Sequence, residues 1–374
     1  MMIRRSPGRR PGLSLMEVLI GFGLMGIAIP ALITFFPFGA ITLGQANKDD
    51  RASTCAVTAD GLLRDIHTRN VVELNGGGEP YFDALDYTPP QNGQLPNGQP
   101  SPPLPPPQPN EPSCPVVIDP MGYYARRDTL GIPFNLGDNG AAQLPRVSLS
   151  MIENYAFTSP TTNRATVALR LCSQMDGLSY NEDGAVENSP ATMRELRYNW
   201  MWVVQRPVNR DRFTVRMQVV VYDKRAHLYN PVRSEAVFNP VVTNPGSAAG
   251  TRTGVTFTPG ETSILNVPAS AELRKGSWVM DATLLDQSDP TQNAKADGDG
   301  VARTLRHAEF YRVLSVSEAA NGTQSLEVHR PISRPDGQYS AKFPLAYQYV
   351  GTLVSMPAVT DVFERNQMTA AAGP

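Results

Sequence analysis

Charge is scarce in this chain. Aspartate, glutamate, lysine and arginine make up 18% of 374 residues and nearly cancel, leaving a formal net charge of −2. Such a balance lacks the basic excess that nucleic-acid binding requires, so no nucleic-acid partner is expected. Cysteine is rarer still: Cys55, Cys114 and Cys172 are too few to frame a disulfide scaffold. The four histidines, His67, His227, His307 and His329, contain no H-E-x-x-H pair, and H-A-E at His307 lacks the downstream cysteine pair of a zinc deaminase. No G-x-S-x-G elbow and no Walker-type loop occurs. No convergent catalytic set is visible, so the chain is not expected to be an enzyme.

What is abundant is an uncharged N-terminal run. From Leu13 to Leu43 the only ionisable side chain is Glu17. As a helix rising about 1.5 Å per residue, this stretch is long enough for a hydrocarbon core of about 30 Å. Ahead of it, Arg4, Arg5, Arg9 and Arg10 face no acidic residue. Positive charge on that flank predicts a single-pass membrane placement, with the N-terminus cytoplasmic and the remainder extracytoplasmic. A cleaved secretory signal would carry an apolar region of about 7–15 residues and a small-x-small cut site. Neither is present, and neither a signal peptide nor a plain anchor accounts for Glu17, since an acid in such a run calls for a partner.

The segment R-R-P-G-L-S-L-M-E-V-L-I resembles the N-terminus of the type IV pilin and type II secretion pseudopilin family. That family has a basic leader ending in glycine, a cut after it, an apolar first mature residue and a glutamate at the fifth. Placed one residue at a time, Gly12 ends the leader, Leu13 becomes the new N-terminus and Glu17 is the fifth mature residue. Ser14 stands where threonine is commoner, and Leu13 where phenylalanine is. The resemblance implies cleavage and N-methylation by a prepilin peptidase. It implies assembly through the helix with other pilin or pseudopilin subunits at an inner-membrane assembly platform, in contact with membrane lipid. Within a bundle, the Glu17 carboxylate of one subunit would neutralise the Leu13 amine of its neighbour. The implied function is that of a minor pilin or pseudopilin, a structural filament subunit. The alternative is a membrane-tethered extracytoplasmic binding protein or enzyme whose anchor merely looks like a pilin's.

The rest of the chain divides by composition. After a leader at 1–12 and a transmembrane helix at 13–44, an amphipathic extension at 45–75 sets Ala52, Cys55, Ala59, Leu62, Leu63 and Ile66 on one stripe. Pro30 and Pro37 predict kinks or local unwinding. Residues 76–145 hold a proline-rich exposed loop region, a spacer or surface loop rather than a core. A β-rich, pilin-like head follows at 146–240. In it, Tyr198, Trp200, Trp202 and Val204 alternate on one strand, and Phe213, Val215, Met217, Val219 and Val221 on the next, as in a long antiparallel hairpin laid on the helix extension. The stretch A-T-V-A-L-R-L-C is readable as helix or strand. A linker at 241–255 leads to short apolar runs over 256–374 that suggest a second small β domain.

The expected fold class is therefore α+β: a long N-terminal membrane-spanning helix packed on an antiparallel β-sheet head, with a second small β domain. Two minor sites complete the reading. Asp297 and Asp299 in A-D-G-D-G alternate as in a calcium loop, with Asp286 and Asp289 upstream, but only a fragment of that pattern is present and a solvated turn is the simpler reading. No other cofactor is expected. Cys114 and Cys172 are candidates for a disulfide in an oxidising compartment.

Overall fold

A computed structural model describes residues 14–72, 85, 113, 115–124, 146–149, 151–152, 164–174, 196–207, 211, 214–225, 235–243, 251–286, 304–306, 308–318, 321–333 and 348–369. The chain forms two compact units, Met1–Arg51 and Ala52–Pro374.

The first long element is α1, Leu15–Val72, a helix of 58 residues that contributes to both units. Its start is written in S-L-M-E. The Ser14 Oγ accepts a hydrogen bond from the Glu17 N–H at 3.3 Å, and the Glu17 Oε2 accepts one from the Ser14 N–H at 3.1 Å. This reciprocal pair is a capping box, which satisfies donors that the first helical turn leaves without partners. Pro30 and Pro37 lie inside the helix and do not end it.

Among the described residues, no helix is long and apolar enough to cross a membrane. This corrects the expected transmembrane helix at 13–44, and with it the single-pass inner-membrane placement. The predicted fold class is corrected as well: the fold is mixed α/β with sheets dominating, and one strand pair is parallel.

In the second unit, four strands of a five-stranded sheet come first: β1 (Val116–Ile118), β2 (Arg146–Val147), β3 (Tyr198–Gln205) and β4 (Thr214–Asp223). A short helix, α2 (Arg164–Leu171), precedes β3 and resolves the ambiguous A-T-V-A-L-R-L-C. Then come β5 (Ala236–Phe238), the hairpin β6 (Val241–Thr243) with β7 (Thr251–Thr253), β8 (Val255–Phe257), β9 (Ser263–Pro268) and β10 (Trp278–Asp281). The pair β11 (Leu284–Asp286) and β12 (Thr304–Arg306) is followed by β13 (Glu309–Glu318), β14 (Thr323–Val328), β15 (Tyr349–Gly351), β16 (Leu353–Met356) and β17 (Val359–Thr369). The first sheet has the order β17-β4-β3-β1-β2, with β1 and β2 parallel and the other pairs antiparallel. The second has eight strands in the order β15-β8-β9-β14-β13-β10-β16-β5. The two sheets exchange strands: β5 comes before the segment read as a linker yet joins the second sheet, and β17 returns to the first.

Packing follows from side-chain alternation. On one face of the first sheet, Tyr198, Trp200, Trp202 and Val204 of β3 and Val215, Met217, Val219 and Val221 of β4 pack with Ala52, Cys55, Ala56, Ala59, Leu63 and Ile66 of α1. Small residues on α1 let the helix backbone approach, and the Trp202 Nε1–H donates to the Ala59 carbonyl at 2.9 Å. The Trp200 and Trp202 rings meet edge to face, 6.1 Å apart, fully inside this core. On the opposite face, Met201, Val203, Val220 and Tyr222 pack with Trp278, Met280, Phe310, Val354 and Met356 of the second sheet. All eight strands of that second sheet meet in a third cluster around Phe257, Tyr311 and Tyr349, so the sheet curls over its own inner face.

Because Ala59 is wholly buried under the Trp202 indole, Ala59→Leu is expected to overpack the helix–sheet contact and lower stability by about 1–3 kcal/mol. Urea unfolding followed by tryptophan fluorescence measures this, and an unchanged midpoint would contradict the packing described.

Candidate functional site

Two places concentrate unusual physical chemistry. The first is the N-terminal part of α1. Leu15 is 80% exposed, Phe22 71% and Ile27 74%, and Leu19, Leu24, Met25, Phe38, Ile41 and Leu43 are exposed as well. Exposed apolar side chains in such number are partner-seeking. Glu17 stands at its head, held in the capping box described above. Gly12 and Leu13, the expected processing residues, lie outside the described residues. Gly21, Gly23 and Gly26 have G-x-G-x-x-G spacing, but they lie inside α1 rather than at a strand-to-helix turn, so they form no dinucleotide cradle.

The second place is a buried ion cluster in the second unit. Asp119 follows β1, Arg146 opens β2, Arg225 follows β4 and Glu235 precedes β5. All four are buried. Arg225 forms a two-pronged pair with Asp119, at 2.8 and 2.7 Å, and also reaches Glu235 at 2.7 Å. Arg146 donates to both Glu235 oxygens, at 2.9 and 2.7 Å, and its Nε lies 3.3 Å from Asp119. Two cations and two anions therefore close a neutral ring. The Arg225 guanidinium also lies over the Tyr222 ring, 4.3 Å from its centre. Gly122 donates its N–H to Asp119 Oδ1 at 3.0 Å, and a Cβ at Gly122 would run into Asp119 and Arg146, so only glycine lets the backbone come this close.

The electrostatics decide what the cluster can do. Burial works against ionising Asp119, but Arg225 first and Arg146 next, with the hydrogen bonds from Arg225 and Gly122, outweigh it and hold its pKa at about 2. Burial pushes the Tyr222 hydroxyl up, beyond the usual tyrosine range. Neither group exchanges a proton near neutrality, so the cluster is suited to joining segments rather than to acid–base catalysis. Because β5 belongs to the second sheet, Glu235 ties that sheet to the first.

The remaining expected site residues are dispersed. Asp297, Asp299 and Asp289 lie outside the described residues, as does Cys114. Asp286 falls in β11. Cys172 is a buried thiol in the helix–sheet core. Among the described residues no group of three or more histidine, cysteine, aspartate or glutamate side chains could hold a metal ion. The ion cluster escaped sequence reading because its four members come from separate loops and strand ends, with no local spacing to betray them. The capping box was missed as well, although S-x-x-E is its local signature. No protein-family model, no curated protein and no solved structure matches the chain.

Asp119→Asn is expected to leave Arg225 and Arg146 undercompensated inside the core and to cost about 3–5 kcal/mol in denaturant unfolding. The same pair sets a pH window. Asp119 titrates lower in the folded protein than the roughly 3.9 of the unfolded chain, so its stabilisation is complete above about pH 4 and disappears as the pH falls toward 2. Acid titration of the wild type and of Asp119→Asn should converge over that interval, and parallel curves would refute the assignment.

Proposed function

We propose that this chain is a structural subunit of the minor pilin or pseudopilin kind, cut after Gly12 and assembled into a type IV pilus or type II secretion filament through α1. The observation that carries the reading is the exposed apolar side chains of α1 from Leu15 to Ile29 and from Phe38 to Leu43, with Glu17 as the single acid among them. Equivalent helices of neighbouring subunits would bury those side chains. Cleavage after Gly12 would create an ammonium group at Leu13, four residues from Glu17, and inside a helix bundle the acid of one subunit would neutralise the amine of another. Other subunits and a prepilin peptidase are the partners this requires. The reading assigns no catalysis and no cofactor to the chain.

The capping box complicates the simple test by alanine, because Glu17→Ala removes both the cap and the charge. Glu17→Gln separates them: glutamine serves equally as the third residue of a capping box but is neutral. Incorporation of Glu17→Gln into filaments is expected to fall about tenfold or more, as loss of a buried ion pair would require. Mass spectrometry of the mature protein is expected to find methylated Leu13 at the N-terminus. Wild-type incorporation of Glu17→Gln, or a working subunit that keeps Met1, would overturn the reading.

A further inference from the structure

Two rings of ion pairs tie the first sheet to the second. One is the buried cluster around Asp119, just past the end of β4. The other lies near the start of β4 and is partly open to solvent. In it, Arg216 of β4 donates to Glu309 Oε1 at 2.7 Å and to Glu364 Oε1 of β17 at 3.3 Å. Arg330, which follows β14, donates to Glu364 Oε1 at 2.8 Å, to Glu309 Oε2 at 2.7 Å and to the Phe310 carbonyl at 3.1 Å. Glu309 opens β13, so this clasp joins β4 and β17 of the first sheet to β13 of the second.

The residue before Arg330 completes the strand ladder with its side chain. The His329 N–H donates to the Arg312 carbonyl at 3.0 Å, and the Arg312 N–H donates in return to His329 Nδ1 at 2.9 Å, where a backbone carbonyl would ordinarily accept. That bond needs an unprotonated Nδ1, so the ring is neutral and carries its proton on Nε2. The same ring stands edge to face against Trp278 of β10, with centres 5.6 Å apart. The Trp278 Nε1–H crosses to the first sheet, donating to the Thr360 carbonyl of β17 at 3.3 Å.

The charged groups that face His329 are Arg312 from β13, Arg330 beside it and Glu364 from β17. Burial first, then Arg330 and Arg312, outweigh Glu364 and hold the imidazole below the ordinary histidine range. The Arg312 N–H also favours the neutral ring, because it occupies the lone pair a proton would take. A histidine lowered in this way contributes stability that is complete above about pH 6.5 and is lost as the pH falls through its folded-state pKa.

We propose that His329 is a pH-sensitive rung at the solvent-open clasp: a proton taken from solvent on Nδ1 removes the acceptor of the Arg312 N–H and loosens the Trp278 contact between the two sheets. Two N–H donors then face each other, and a third cation joins Arg312 and Arg330. The ring turns away and takes with it the edge on which Trp278 rests. The buried ring stays closed over the same interval, because Asp119 titrates only at about 2. The response is therefore confined to one end of the interface, and it is independent of the filament reading.

The test uses the full chain in nonionic detergent, at about pH 7.5 and about pH 5.5, on either side of the ordinary histidine range. Hydrogen exchange, corrected for the intrinsic rate at each pH, is expected to show the Arg312 amide losing about tenfold in protection at the lower pH. Acrylamide quenching of tryptophan emission is expected to rise with it, through Trp278, since Trp200 and Trp202 lie in the other core. His329→Asn sets a carboxamide oxygen where Nδ1 stands but takes up no proton, and is expected to hold both readings constant. Either response missing from the wild type, or kept by His329→Asn, would overturn the proposal.

Discussion

The constraint on which the second unit rests is that its five-stranded sheet is apolar on both faces. Trp200 and Trp202 point one way from β3, while Met201 and Val203 point the other. A sheet with one oily face can leave its other side to water, but this one cannot. Half of α1 covers the first face and the curled eight-stranded sheet covers the second. The order of layers is a consequence of β3 and β4 having no side that water can wet.

Burying so much apolar surface closes polar groups in with it. Where the loops at the ends of β1, β4 and β5 enter the core, four charges answer one another within a few ångströms. Such a ring gives little net stability relative to well-packed apolar residues, because desolvating four ions offsets most of their attraction. Its geometric demand is strict: Asp119, Arg146, Arg225 and Glu235 satisfy one another only when the two sheets are in register. The buried Asp281 makes a smaller demand of the same sort, accepting from the Tyr349 hydroxyl at 2.6 Å and from Thr283.

What the sequence disclosed was the part that repeats locally. Ala52, Cys55, Ala59, Leu63 and Ile66 recur at helical spacing and are buried, and the alternating residues of β3, with Val215, Met217, Val219 and Val221 of β4, fall on one face, while Phe213 lies outside the described residues. The near-continuous run W-M-W-V-V also held the sign of burial on both faces, which a reading based on alternation alone passes over. The length of the N-terminal apolar run pointed to a membrane span, and the described helix does not meet that requirement. Long-range matters were out of reach. No local pattern announces that β5 joins the second sheet, that β17 returns to β4, or that loop residues as far apart as Asp119 and Arg225 share one ring.

The return of β17 bears on the order in which the molecule is made. β4 finds its outer neighbour only in Val359–Thr369, after the whole curled sheet has been synthesised. Until then β4 presents an open edge of apolar strand, the kind of surface on which nascent chains stick to one another. Contacts so distant along the chain also close slowly. A ribosome-bound intermediate that lacks its last strand is therefore the form of this protein most in need of a chaperone, and interrupted synthesis would yield aggregates rather than a shortened but working molecule.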